Sequence, residues 1–124
     1  MIYDLEPRTK QLSRDVLDLL IKITGNDINR NIILQLSRSV TSVAANYCEA
    51  NNASSKKDFK NKIFICKKEI QETKYWMELL ARTNLEHKDE LRKLWKETHE
   101  LTLIFNKIIF SLKKKEYEDK NGKN

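Results

Sequence analysis

Apolar residues recur along this chain in the 4-3-4 rhythm of helices that bury one stripe, in four separate segments. In the first, Leu12, Val16, Leu19 and Ile23 form the stripe. Pro7 stands near the first helical position, where its missing N–H breaks no bond. Gly25 marks the end, Asn26-Asp27 the turn, and Asp27 or Asn29 can cap the second helix. That helix carries Ile33, Leu36, Val40, Val43 and Tyr47 on one face. Asn51-Asn52-Ala53-Ser54 reads as a loop, and Ser55-Lys56-Lys57-Asp58 resembles a capping box with Asp in place of Glu. From there Phe59, Ile63, Cys66, Ile70, Thr73, Met77 and Leu80 keep heptad spacing to a stop at Asn84. Leu91, Leu94, Thr98, Leu101, Phe105, Ile108 and Leu112 repeat it.

Helices of about 18, 22, 28 and 26 residues span roughly 27 to 42 Å at 1.5 Å per residue. With short loops and heptad spacing they predict an all-α fold, an antiparallel up-down-up-down four-helix bundle over residues 1–115. Residues 116–124 lack an apolar stripe and are expected to form a polar, disordered tail. In the second helix, Ser37 to Ala45 is short-chained almost throughout, which lets two helix backbones approach closely. A second apolar stripe lies off the heptad line: Phe64, Tyr75, Trp76 and Leu79 on the third helix, and Trp95, Leu103, Ile104 and Phe110 on the fourth. A monomeric bundle buries one face of each helix. The surplus therefore predicts self-association, with Trp76, Leu79, Trp95 and Phe110 as contacts. The plainer reading is that these residues widen the core.

Composition narrows the function classes. A chain of 124 residues has room for one domain, and its two Gly and one Pro leave little turn chemistry. No apolar run approaches the roughly 20 residues that span a bilayer. Met1 to Glu6 lack the basic and apolar regions of a signal peptide. A cytoplasmic protein without membrane contact is expected, and Cys48 and Cys66 then read as reduced packing residues. His87 and His99 lie far from both in sequence, so neither a metal site nor a cofactor is expected.

Arg38, Ser42, Asn46 and Glu49 share one helical stripe, and Lys62, Glu69 and Glu72 form another on the third helix. A hairpin turning near Ala53 sets Arg38 opposite about Glu69 and Asn46 opposite about Lys60. Glu49, Glu69 and Glu72 could serve as acid, base or metal ligands. The weightier reading is an interhelical polar network that fixes register. Ser42 has no neighbouring base, and no E-x-x-H pair or phosphate-cradling loop occurs. No enzyme is expected.

Net charge is +6, and the surplus is unevenly placed. Lys56, Lys57, Lys60 and Lys62 open the third helix, and Lys113, Lys114 and Lys115 close the fourth. Up-down connectivity sets these termini beside the start of the first helix, with Arg8, Lys10 and Arg14. Glu49, Asp58, Glu116, Glu118 and Asp119 partly offset them. The cluster reads either as a phosphate-backbone contact surface for RNA or DNA or as a solvated helix face.

Three segments carry a resemblance: Arg38-Ser39-Val40-Thr41-Ser42-Val43-Ala44-Ala45-Asn46-Tyr47-Cys48-Glu49-Ala50, then Ser55-Lys56-Lys57-Asp58-Phe59, then Lys68-Glu69-Ile70-Gln71-Glu72-Thr73-Lys74-Tyr75-Trp76-Met77-Glu78-Leu79-Leu80. Together they resemble the bacterial four-helix-bundle family also called the 23S rRNA intervening-sequence protein family. Val40 and Ala44 stand where many relatives carry Gly, and Cys66 where they carry Ala. The resemblance implies an up-down bundle that assembles into a ring-like homo-oligomer, a pentamer. Some relatives are encoded within insertions in ribosomal RNA genes. A related accessory protein of diversity-generating retroelements works with nucleic acid and a reverse transcriptase. No catalytic activity is implied. The expected function is a non-enzymatic, homo-oligomeric accessory protein that binds an RNA or DNA backbone. The alternative is an oligomeric scaffold that binds a nucleic-acid-processing protein without touching nucleic acid.

Overall fold

A computed structural model describes residues 4–122. Residues 1–3, half of the segment read for a signal sequence, and the last two residues of the expected tail lie outside the described residues. The chain forms α1 (Leu5–Lys22), α2 (Arg30–Asn51), α3 (Lys56–Thr83), a 3₁₀ turn (Leu85–His87) and α4 (Lys88–Asn121). No strand occurs among the described residues, and no helix there is long and apolar enough to cross a membrane.

Consecutive helices run antiparallel, as contacts along each pair show. Glu6 meets Asn51 while Ser13 meets Val40 on α1 and α2. Glu49 pairs with Lys62 while Arg38 pairs with Glu69 on α2 and α3. Lys60 meets Glu116 while Lys74 meets His99 on α3 and α4. The short side chains of α2 bring it close to both neighbours. Ser13 Oγ donates to the Val40 carbonyl at 3.0 Å, and the buried Ser39 and Thr73 hydroxyls lie 2.9 Å apart.

The core follows the heptad line on α3, where Ile63, Cys66, Ile70, Thr73, Met77 and Leu80 are all buried. On α4 the line drifts. Leu91, Thr98, Leu101 and Phe105 are buried, but Ile108 is only half-buried and Ile109 takes its place. A straight helix of 3.6 residues per turn slips about 20° per heptad, so the inward position moves along by one residue. Ile104 likewise belongs to the core rather than to a second stripe.

The termini of the elements differ from the sequence reading in three places. Helix α1 ends at Lys22, before Gly25, because Ile23 turns extended (φ −93°, ψ 126°) and drops into the core. Asn29 occupies the cap position of α2 without capping it through its side chain. Its amide is wholly buried: Oδ1 accepts from the Asn26 N–H at 2.8 Å and Nδ2 donates to Asn84 Oδ1 at 3.1 Å. This amide pair ties the α1–α2 turn to the end of α3. Helix α4 runs through Asn121 instead of ending at Lys115. Residues 113–121 are exposed on all sides, as the missing stripe requires. They are mostly strong helix formers, and the Lys60–Glu116 ion pair ties them to α3. The Ser55 cap matches expectation, its hydroxyl accepting from the Asp58 N–H at 3.0 Å. The Asp58 carboxylate reaches Ser54 N at 3.4 Å rather than the N–H of Ser55 itself.

Candidate functional site

The seven residues of the polar stripes divide into three groups. Arg38 crosses from α2 to α3 and grips Glu69 with two nitrogens, at 3.2 and 3.3 Å, and Glu72 with one at 2.9 Å. Glu69 is buried, and its hydrogen bond to Arg38 is the main reason the guanidinium pKa is raised. Such a two-pronged fork fixes helix register as well as charge. Asn46 stays within α2, donating to the Ser42 carbonyl at 2.9 Å and meeting the Ser42 hydroxyl at 3.1 Å. Glu49 pairs with Lys62 at 2.7 Å, a contact that raises the Lys62 pKa through its hydrogen bond. Each candidate carboxylate thus already holds a cation, and the neighbour of Ser42 is an amide rather than a base.

Burial pushes the Cys66 thiol up to about 12, so it stays protonated, its sulfur 3.7 Å from the Val43 carbonyl. No group of three or more His, Cys, Asp or Glu side chains among the described residues is placed to hold a metal ion.

The basic residues separate more sharply. An open cleft of about 870 Å³ lies between the α2–α3 loop, the start of α3 and the last turns of α4. Lys56, Lys57 and Lys60 line one side of it, and Lys115 lies on the other beside Glu116 and Asp119. Lys60 is neutralised by Glu116. Lys60 and Lys113 both sit over the Phe64 ring, at 5.8 and 5.4 Å. Lys56, Lys57, Lys114 and Lys115 are exposed.

Arg8 and Lys10, at the start of α1, do not line this cleft. Arg8 is clamped by Glu97 at 2.7 Å and Glu100 at 3.0 Å, and its pKa is raised chiefly by the hydrogen bond to Glu97. Both carboxylates precede Lys113 by more than a dozen residues, about 20 Å along α4. Lys10 pairs with Glu6 on its own helix at 3.1 Å. Arg8, Lys10 and Lys62 are therefore held in ion pairs, and none of the three lines the cleft.

The second apolar stripe splits as well. Trp95 lies between α3 and α4, stacked on His99 with ring centroids 5.1 Å apart, and donates its indole N–H to Glu78 at 2.8 Å. Trp76 and Leu79 are half-buried, and the Trp76 Nε1 is enclosed without a hydrogen-bond partner. Phe110 and Leu103 remain exposed, at 67% and 54%. Periodicity could not separate these fates, because all five positions lie on flanks that only neighbouring helices cover or leave open.

The described residues therefore define an antiparallel helical bundle with an interhelical arginine–carboxylate clamp and a lysine-lined cleft at one end. The sequence profile of the 23S rRNA-intervening sequence protein family matches residues 6–107, and the chain belongs to that family. A crystal structure at 1.70 Å of a protein with unknown function from the S23 ribosomal protein family, from Bacteroides thetaiotaomicron VPI-5482, is similar. The TM-score is 0.73 with 29% identity, over 85% of this chain and 97% of that one. Comparison with curated proteins gives no match.

Proposed function

We propose that this protein is a non-enzymatic, homo-oligomeric accessory protein of the cytoplasm that binds RNA or DNA through the phosphate backbone. The carrying observation is that Lys56 and Lys57 at the start of α3 and Lys115 near the end of α4 line one open cleft of a chain with net charge +6. Membership of a family named for a sequence within 23S rRNA supports RNA as the polyanion. Lysines neutralise phosphates without the fixed fork that reads guanine edges, so little sequence discrimination is expected. The non-enzymatic reading rests on the cations already held by Glu49, Glu69 and Glu72.

Self-association is supported by Ile21, Ile28 and Leu34, which are 83%, 71% and 63% exposed around the α1–α2 turn. Large apolar side chains left this exposed near one turn favour a protein contact. The ring-like pentamer implied by the resemblance is the assembly we propose. The same surface supports the second reading, a scaffold for a nucleic-acid-processing protein.

Filter binding of a labelled RNA across a salt series tests the first reading. The logarithm of the binding constant should fall against the logarithm of salt by about 0.7–0.9 per phosphate neutralised, hence by about 2–3 for Lys56, Lys57 and Lys115. A flat dependence would leave the scaffold. Light scattering at micromolar concentration should return a multiple of 14.7 kDa, and the monomer mass itself would sink the oligomer.

A further inference from the structure

The outward face of α4 carries one unbroken stripe: Lys88, Arg92, Lys96, His99, Leu103, Lys107, Phe110, Lys114 and Tyr117, each three or four residues from the next. All are exposed except His99, which is half-buried. The stripe contains no carboxylate and extends for about 43 Å at 1.5 Å per residue.

Asp89, Glu100 and Glu118 border this stripe, and three acids of the helix are engaged by α1. Glu90 pairs with Lys22, and Glu97 and Glu100 with Arg8, so α1 absorbs them. Among the described residues no carboxylate pairs with Lys88, Arg92, Lys96 or Lys107. Repeated like charges at i, i+4 work against a helix, so a polyanion along the stripe would relieve a repulsion that the fold leaves in place.

We propose that this stripe binds single-stranded nucleic acid, its cations tracking the backbone and the rings of Phe110 and Tyr117 stacking on unpaired bases. The inference rests on the phosphate-binding reading above and names the form of nucleic acid. Phe110 and Tyr117 are 67% and 69% exposed, at i and i+7 on one face, with Lys114 between them. Exposed rings interleaved with cations are the arrangement that holds single strands, since every base offers a face to stack on. In a duplex those faces are already stacked, and only edges and phosphates are presented. The lysine-lined cleft lies on the other face of the same helix end, where Lys115, Glu116 and Asp119 help to line it. A second copy packed symmetrically through this face would set lysine against lysine.

Fluorescence anisotropy decides it, with a labelled RNA of about 20 nucleotides, alone or annealed to its complement. The single strand is expected to bind at least about tenfold more tightly than the duplex at equal salt. Phe110→Ala with Tyr117→Ala should remove most of that preference, while duplex affinity and the salt slope stay unchanged and Phe110→Trp retains binding. Both side chains are mostly exposed, so circular dichroism of the double variant should match the parent. Equal affinity for strand and duplex, or a double variant that binds single strands normally, overturns the proposal and leaves the stripe as a protein-docking face. Failure to bind either RNA at low salt would instead overturn the phosphate-binding reading, and this one with it.

Discussion

Phe105→Ala is expected to remove about 3–5 kcal/mol of folding stability, the largest single-residue loss in the bundle. Phe105 is the bulkiest of the fully buried side chains, at 0% exposure on the inward line of α4. Its ring meets Tyr47 of α2 edge-on at 6.1 Å, so it links helices that are not consecutive in the chain. Truncation forfeits the transfer free energy of the ring and leaves a cavity that Leu101, Ile109 and their neighbours, packed on regular helices, fill only in part. Domains of this size are stable by only about 5–15 kcal/mol, so the variant should sit near the margin. Guanidinium unfolding followed by circular dichroism should show a lower midpoint at an unchanged slope. Phe110→Ala, five residues on but exposed, should shift the midpoint hardly at all. Equal losses at the two sites would mean that the inward line of α4 is wrongly placed.

Reversal of Lys56, Lys57 and Lys115 to Glu should weaken RNA binding at least about tenfold and make its salt slope shallower by about 2–3. These three lysines line the cleft and none of them pairs with a carboxylate among the described residues, whereas Lys60 is already held by Glu116. Reversing Lys60 would set two carboxylates together and loosen the end of α4, confusing folding with binding. The chosen positions are exposed, so thermal unfolding should move little. Affinity for unrelated sequences should fall alike, because ammonium groups position a backbone rather than read bases. Arg8→Glu should behave differently: it leaves Glu97 and Glu100 facing a third carboxylate, so it should lower stability more than RNA affinity. An unchanged affinity and salt slope in the triple variant would make the cleft a solvated surface and bring the scaffold reading forward.

Helix number, the caps at Ser55 and the register of the α2–α3 hairpin were all written in the sequence. Local periodicity and short-range chemistry determine them: a stripe at 3.6-residue spacing can bury only one face, and a serine three residues before a free N–H caps it. The Arg38–Glu69 crossing follows from the same arithmetic, because a short loop at Ala53 fixes which residues of two antiparallel helices can meet. What the sequence left open depended on neighbours distant in the chain. Arg8 looked like a member of the basic end until Glu97 and Glu100 captured it, and nothing local to residue 8 foretells α4. Asn29 and Asn84 each carried an ordinary local reading, as a cap and as a stop. Only the packed bundle makes them a buried pair, because their turns come together at one end. Trp95 and Phe110 are equally apolar on paper. The tertiary structure set them apart, since α3 lies against the first and leaves the second to solvent.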